Sequence, residues 1–228
     1  MKKKIIIKNR EKIPTCLFEE LDDFEVLFEG EGDLIIESKD DNKISLIMGG
    51  NHDVVNSNVK FFNFDNKYYE DGFPVERREN VAIILRNSKK EIMCLEWNNE
   101  KQWKSFVSGG IENDNLIQSA IDEIKEESGY INVEFVEEIN CETRDRFFAP
   151  HKKVNRYQIS RVVVFDLVNE ERLEISKDEI EKHIPVWIKE NEILDFLNIE
   201  NQKFLFREYL GENQEYDSIS ILIKDMLN

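Results

Sequence analysis

The chain has 228 residues, 40% of them apolar, and its 48 acidic and 31 basic side chains give a formal charge of −17. This is enough chain for a sizeable core, in one large domain or in a medium domain plus a small one. Aromatic residues are too plentiful for a disordered chain, no apolar run is long enough for a membrane helix so no membrane partner is expected, and the acidic excess argues against a long nucleic acid as partner.

The first residues, "MKKKIIIKNREK", stay apolar for only three positions before charge returns, so they read as the start of a strand and not as a targeting segment. Cys16, Cys94 and Cys141 are far apart and form no CxxC or zinc spacing. Reduced thiols in a cytoplasmic protein are the expectation.

Residues 1–72 alternate short apolar runs with polar turns. "KKKIIIK", "FEVLFEG", "DLIIES", "KISLIMGG" and "VKFFNF" predict strands of a small β-rich unit, with His52 and Asp53 in a turn. The unit carries no catalytic cluster, and one role open to it is formation of a homodimer. Pro74 and the charge run in "EDGFPVERREN" suggest a boundary, with a second domain over residues 73–228.

Within that second domain, "VAIILRNSKKEIMCLEW" predicts a β-hairpin turning at Asn87–Lys90, and "WKSFVSGG" a third strand. An acidic helix follows. "INVEFVEEIN", "NRYQISRVVVFDLV" and "IPVWI" predict further strands. "KENEILDFLN", "QKFLFREYL" and "ISILIKDML" have helical spacing. Strands, helix, strands, helix in this order predict an α/β (α+β) fold, with a mixed sheet sandwiched between helices.

The acidic helix lies within "SGGIENDNLIQSAIDEIKEESGY". Asn113 or Asp114 suits the N-cap, and Gly129 suits the left-handed stop. At about 100° per residue, Ile117, Ala120, Ile121 and Ile124 share one side, which predicts the face on the sheet. Glu123, Glu126 and Glu127 fall within an arc of about 100° that predicts an outward face. Like charges at this spacing cost on the order of 0.2–0.5 kcal/mol even when exposed. A divalent cation would turn that repulsion into attraction, and glycines before the helix would let backbone carbonyls approach it. A solvated acidic face accounts for the same pattern.

This segment resembles the Nudix box, the signature of the Nudix hydrolases. That signature runs Gly, five residues, Glu, seven residues, then Arg-Glu-apolar-x-Glu-Glu-x-Gly-apolar. Asp122 through Tyr130 match the second half at every position except the first, where Asp122 stands in place of arginine. The first half, Gly109-Gly110-Ile111-Glu112, sits two residues closer to the second than in the family, which leaves Glu112 and Asp114 as candidates for the intervening Glu. The resemblance covers roughly residues 75–200. "RRENVAIIL", "WKSFVSGGIE" and "RFFAPHKKVNRYQ" are also similar to a Nudix-like domain attached to leucyl-tRNA synthetases in some bacteria.

The resemblance implies a metal-dependent hydrolase that cleaves the pyrophosphate bond of a nucleoside diphosphate linked to another group. Mg2+ or Mn2+ would be its cofactor and a small nucleotide its substrate. Carried over by position, Glu123, Glu126 and Glu127 would hold the metal, with the Gly109 carbonyl as an added ligand. Glu126 and Glu127 would also serve catalysis. In the family, the arginine that Asp122 replaces helps organise the glutamates. The alternative function is therefore a Nudix-like module that binds a nucleotide or a protein without chemistry.

Two other stretches carry candidates. "RDRFFAPHKKVNRYQ" interleaves cations with aromatics in the most basic part of the chain, and reads as a loop. Arg144, Arg146, His151 and Arg156 are candidates to meet phosphate there, and Phe148 to stack on a base. In "EISKDEIEKHIPVWI", Glu179 and Glu181 are candidates for a catalytic base, since some Nudix enzymes draw one from a loop in this region. An exposed acidic loop explains the same residues.

Overall fold

The computed structural model describes residues 4–8, 25–27, 31–32, 34–40, 43–48, 51–56, 60–150 and 152–212. The chain divides into two compact units: Met1–Asn63 with Glu215–Asn228, and Phe64–Gln214. Cys16 and the helical spacing of "ISILIKDML" lie outside the described residues. Among the described residues no helix is long and apolar enough to cross a membrane.

The first unit holds β1 (Lys4–Lys8), β2 (Glu25–Leu27), β3 (Leu34–Asp40), β4 (Lys43–Met48) and β5 (Asn51–Asn56), in the sheet order β2-β1-β3-β4-β5. β1 is parallel to both of its neighbours. Ile5, Ile6 and Ile7 are all buried, as expected for a strand in the middle of a parallel trio. His52 is not in a turn. It sits in β5 opposite Ile47, because β5 pairs with β4 along its whole length despite its polar sequence.

The second sheet comprises β6 (Lys60–Tyr68), β7 (Val75–Arg86), β8 (Glu91–Trp97), β9 (Lys104–Gly110), β10 (Val133–Ala149), β11 (Val154–Leu167) and β12 (His183–Lys189). Its order is β12-β8-β9-β7-β11-β10-β6. β7 and β11 run parallel in register from Val75↔Asn155 to Arg86↔Asp166, while the pairs at β8, β9, β10 and β12 are antiparallel, so the sheet is mixed. The charge run "VERREN" forms the first half of β7, held by the ladder to β11, with Val75–Glu79 exposed and Asn80 buried, and the second half, Val81–Leu85, is buried as well.

Among the described residues the helices are α1 (Leu116–Ser128), α2 (Lys177–Lys182), α3 (Ile193–Phe196) and α4 (Glu200–Tyr209). "KENEILDFLN" forms a short 3-10 turn, Glu190–Glu192, and then the single turn of α3. α1 lays Leu116, Ala120 and Ile124 on Val81, Ile83, Leu95 and Val107, with Ile117 and Ile121 packed at the margin. Successive strand residues face opposite ways, so Phe106 lies on the other side of the sheet, where its ring meets Phe206 of α4 at 5.9 Å. The sheet is thus covered by helices on both faces.

Two local expectations change. The N-cap of α1 is Asn115, whose side chain accepts the Gln118 amide, while Asn113 and Asp114 form the left-handed turn before it, with φ of 51° and 55°. Gly129 ends the helix at φ 80°, and a Cβ there would lie 2.5 Å from the Leu173 carbonyl oxygen. The three glutamates do not all face outward. Glu126 is exposed, Glu123 is half-buried and Glu127 is buried. Glu127 follows Ala120 by seven residues, which puts it about 20° around the helix from a core position.

Residues 144–149 and 154–158 are not a loop. They are the paired ends of β10 and β11, with Arg146 opposite Tyr157 and Phe147 opposite Arg156.

Candidate functional site

The site lies where the last residues of β9 meet the second half of α1. β9 pairs Gly109 with Val81, which turns the Gly109 Cα toward α1. The Glu123 carboxylate fills the space a side chain would need there, since a Cβ on Gly109 would lie 1.6 Å from Glu123 Oε1. Burial pushes the Glu123 carboxyl up to about 7, and Glu126, Glu179 and Glu112 add to the shift while Arg78 opposes it.

Glu127 is 6% exposed, and its Oε2 accepts the Ser108 backbone N–H at 3.0 Å. Burial raises its carboxyl well above the usual range, the Ser108 bond acts against that, and Glu123, Glu179 and Glu126 reinforce it. Two glutamates one helical turn apart thus share a partly dry site in which both negative charges are disfavoured.

A third carboxylate arrives from a distant part of the chain. Ser176 caps α2 by accepting the Glu179 N–H at 3.2 Å. The Glu179 side chain meets Lys182 Nζ through Oε1 at 2.5 Å and His183 Nε2 through Oε2 at 3.2 Å. His183 is 1% exposed, and its Nε2 stands 4.0 Å from Glu127 Oε1. Burial lowers the imidazole pKa and Glu179 raises it, with the net direction downward. One donor atom from each of Glu127, Glu179 and His183 lies within 4.8 Å of the other two.

Arg78 supplies the positive charge. A Cβ on Gly110 would lie 3.0 Å from its Nη2, so the guanidinium crosses the strand where no side chain stands. Burial lowers the Arg78 pKa, the neighbouring Arg156 lowers it further, and Glu123 raises it.

Gly109, Glu123, Glu127 and Glu179 therefore converge. Glu126 lies at the exposed rim, and Glu112 is close enough to act on Glu123. Asp122 faces solvent and accepts the Gln118 side-chain amide at 3.0 Å. Glu181 is exposed, and its carbonyl accepts from Asn98 at 3.3 Å.

Of the basic candidates, Arg144 is 1% exposed, ion-paired to Glu142 and bonded to the Tyr157 hydroxyl at 2.9 Å. Arg146 lies over the Tyr157 ring at 5.4 Å, and Phe148 packs on Phe73 at 4.8 Å. Arg156 pairs with Glu76 at 2.9 Å. His151 lies outside the described residues.

Sequence reasoning missed Arg78 and His183. His183 follows Glu179 by four residues, a spacing that brings side chains together on a helix, and this was the only local signal for it. Arg78 reads as one more charge in an exposed run until strand register puts it beside Gly110.

The donors suit a hard divalent cation. They are carboxylate oxygens crowded at short range with both neighbouring pKa values raised, the electrostatic state a bound cation would relieve.

The NUDIX domain family matches residues 76–207, more than half of the chain. No curated protein matches it. Among solved structures, the chain is similar to a C. elegans Ap4A hydrolase in a binary complex at 16% identity, covering 59% of this chain and 96% of that one with a TM-score of 0.45. It is similar to the E. coli dihydroneopterin triphosphate pyrophosphohydrolase at 12% identity, 60% and 97% coverage and a TM-score of 0.46. A MutT protein from Methanosarcina mazei Go1 gives 19% identity, 64% and 100% coverage and a TM-score of 0.41. With a helix bearing Glu123, Glu126 and Glu127 set against a mixed sheet, and with the family matched from residue 76 to residue 207, this chain belongs to the Nudix family.

Proposed function

We propose that the protein is a divalent-cation-dependent hydrolase that breaks the pyrophosphate bond of a small nucleoside diphosphate derivative. One observation carries this reading: Glu123, Glu127 and Glu179, from two separate helices, are brought together in a partly buried site that raises the pKa of the first two.

Glu123, Glu126 and Glu127, with the Gly109 carbonyl, would hold Mg2+ or Mn2+. When bound, the cation would offset the charge of the diphosphate and polarise the bond to be broken. Glu179 is the base. It takes a proton from the attacking water as the water oxygen bonds to phosphorus, and the bridging P–O bond breaks with its electrons leaving on the departing phosphate. Arg78 and Arg156 face the phosphates, while Arg146 and Phe148 serve the rest of the substrate. Arg144 acts from behind, through Tyr157.

A panel of nucleoside diphosphate compounds with Mg2+ and with Mn2+ tests the reading. The expected result is cation-dependent phosphate-product release, lost in the Glu126→Gln/Glu127→Gln double variant while the fold survives. Equal turnover by that variant would reject the site.

A second reading is a nucleotide-binding module without turnover. Asp122 favours it, because it brings negative charge to the position where the family's arginine organises the glutamates. Calorimetric binding in the absence of a cation, with no product from any compound in the panel, would support this reading instead.

A further inference from the structure

His183 stands where α2 ends and β12 begins. It is the C-cap of α2, and its backbone N–H bonds to the Glu179 carbonyl. This turn brings the ring over the Glu179 side chain, with Nε2 3.2 Å from Oε2. The Trp97 ring packs edge-on against the imidazole at 5.1 Å, and Trp97 is itself held by a 2.8 Å bond from Nε1 to Ser105 Oγ. The imidazole is thus fixed by its neighbours. Its Nδ1 is buried and has no hydrogen-bond partner among the described residues.

Two chemistries fit an imidazole beside Glu127 and Glu179. In the first, Nε2 offers its lone pair to a cation, and the ring proton sits on Nδ1. Histidines that ligate metals almost always give that second N–H to a carboxylate, a carbonyl or water. Here it would be a buried donor with no acceptor among the described residues, and without the cation the Nε2 lone pair would face a carboxylate oxygen. In the second chemistry, Nε2 carries the proton and donates to Glu179 Oε2. That bond is charge-assisted, and only the Nδ1 lone pair goes unused.

We infer that His183 is a positioning residue, which as the neutral Nε2–H tautomer donates to Glu179 Oε2 and aims that carboxylate toward Glu127. It is not a ligand of the cation. The close trio of Glu127, Glu179 and His183 is two carboxylates and a donor, not three ligands.

The need for such a residue follows from α2 itself. The helix is six residues long and depends on the Ser176 cap, and a helix this short does not hold its own geometry in water. Lys182 grips Oε1 from an exposed position, so the buried grip on Oε2 sets the direction of the carboxylate. The catalytic consequence, a properly aimed base, rests on the hydrolytic reading above. The tautomer and the exclusion of His183 from the cation's ligands do not.

The experiment uses the full chain. Long-range proton–nitrogen correlation spectra of 15N-labelled protein, with His183 assigned through its contact with Trp97, should show a protonated Nε2 and an unprotonated Nδ1. The pattern should be unchanged at saturating Mg2+. A proton on Nδ1 alone, or loss of the Nε2 proton when the cation binds, overturns the assignment. Mn2+ affinity, read by electron paramagnetic resonance, should stay within about threefold in His183→Gln, and a loss of about tenfold or more would make His183 a ligand. On a substrate that the wild type turns over, His183→Phe should lower kcat by about tenfold or more at similar KM. His183→Gln, whose amide can still donate, should recover most of that loss. A folded His183→Phe protein with unchanged kcat overturns the positioning role. If the wild type turns over no compound, the hydrolytic reading fails, and the spectra and the Mn2+ affinity still decide the tautomer and the ligand question.

Discussion

Glu123 and Gly109 occupy one space between them: a Cβ on Gly109 would lie 1.6 Å from Glu123 Oε1 and 1.8 Å from Cδ. A carboxylate on α1 is thus seated against the bare backbone of β9. Gly109 has no positive φ, so alanine is conformationally tolerable there and the nearest conflict is with the Glu123 carboxylate. Gly109→Ala should leave the fold intact, displace Glu123 by an ångström or more, and lower turnover by about 100-fold. Turnover on a positive substrate, with circular dichroism as the fold control, checks this.

Cation binding should depend on pH, in a direction set by the raised carboxyls. Glu123 titrates near 7 and Glu127 above its usual range, so below neutrality the cation must displace protons. Apparent affinity should rise with pH through about 7, by up to about tenfold per pH unit for each proton displaced. Calorimetry in two buffers of different ionisation enthalpy would reveal the released protons. A flat affinity from acid to neutral pH would contradict the site.

Arg78 is predicted to act on charge and substrate together. Its guanidinium lowers the Glu123 pKa, so Arg78→Gln should shift proton release at the site to higher pH. Loss of a charged contact to phosphate typically corresponds to roughly 10- to 100-fold, which is the fall expected in kcat/KM. Equal kcat/KM in the variant would remove Arg78 from the substrate's path.

On the α4 side of the sheet, Asp145 gives a separate pH effect. It is 4% exposed and accepts from Asn201 Nδ2 at 2.9 Å and Thr143 Oγ1 at 3.3 Å. Burial outweighs those bonds and pushes its carboxyl from 3.8 up to about 7. The folded state therefore binds the proton more tightly than the unfolded chain, and stability falls as pH rises from about 4 to about 7. Relative to Asp145→Asn, the wild type should lose stability across that window, at most about 1.4 kcal/mol per pH unit. Denaturant titrations at several pH values test this, and parallel pH profiles would show that Asp145 does not titrate there.

Much of the fold was legible because its signals are local. The spacing of Ile117, Ala120, Ile121 and Ile124 marks a helix face within a single stretch of chain. Gly129 stops α1 because only glycine accepts a left-handed turn so close to the Leu173 carbonyl. The pairing of the charged first half of β7 with β11 was not legible, because exposed charge gives no strand signal until a partner strand is known, and residues 144–149 and 154–158 read as a loop for the same reason.

Read alone, the amino-acid order determined that three glutamates share part of one helix after a pair of glycines, since a period of about 3.6 residues is enough to say so. Tertiary structure decided that Glu127 is buried while Glu126 stays wet, and that Glu179 and His183 come to meet them. The reason is distance along the chain. Helix periodicity arranges neighbours a few residues apart, whereas α2 reaches α1 only after β10 and β11 have been laid into the sheet.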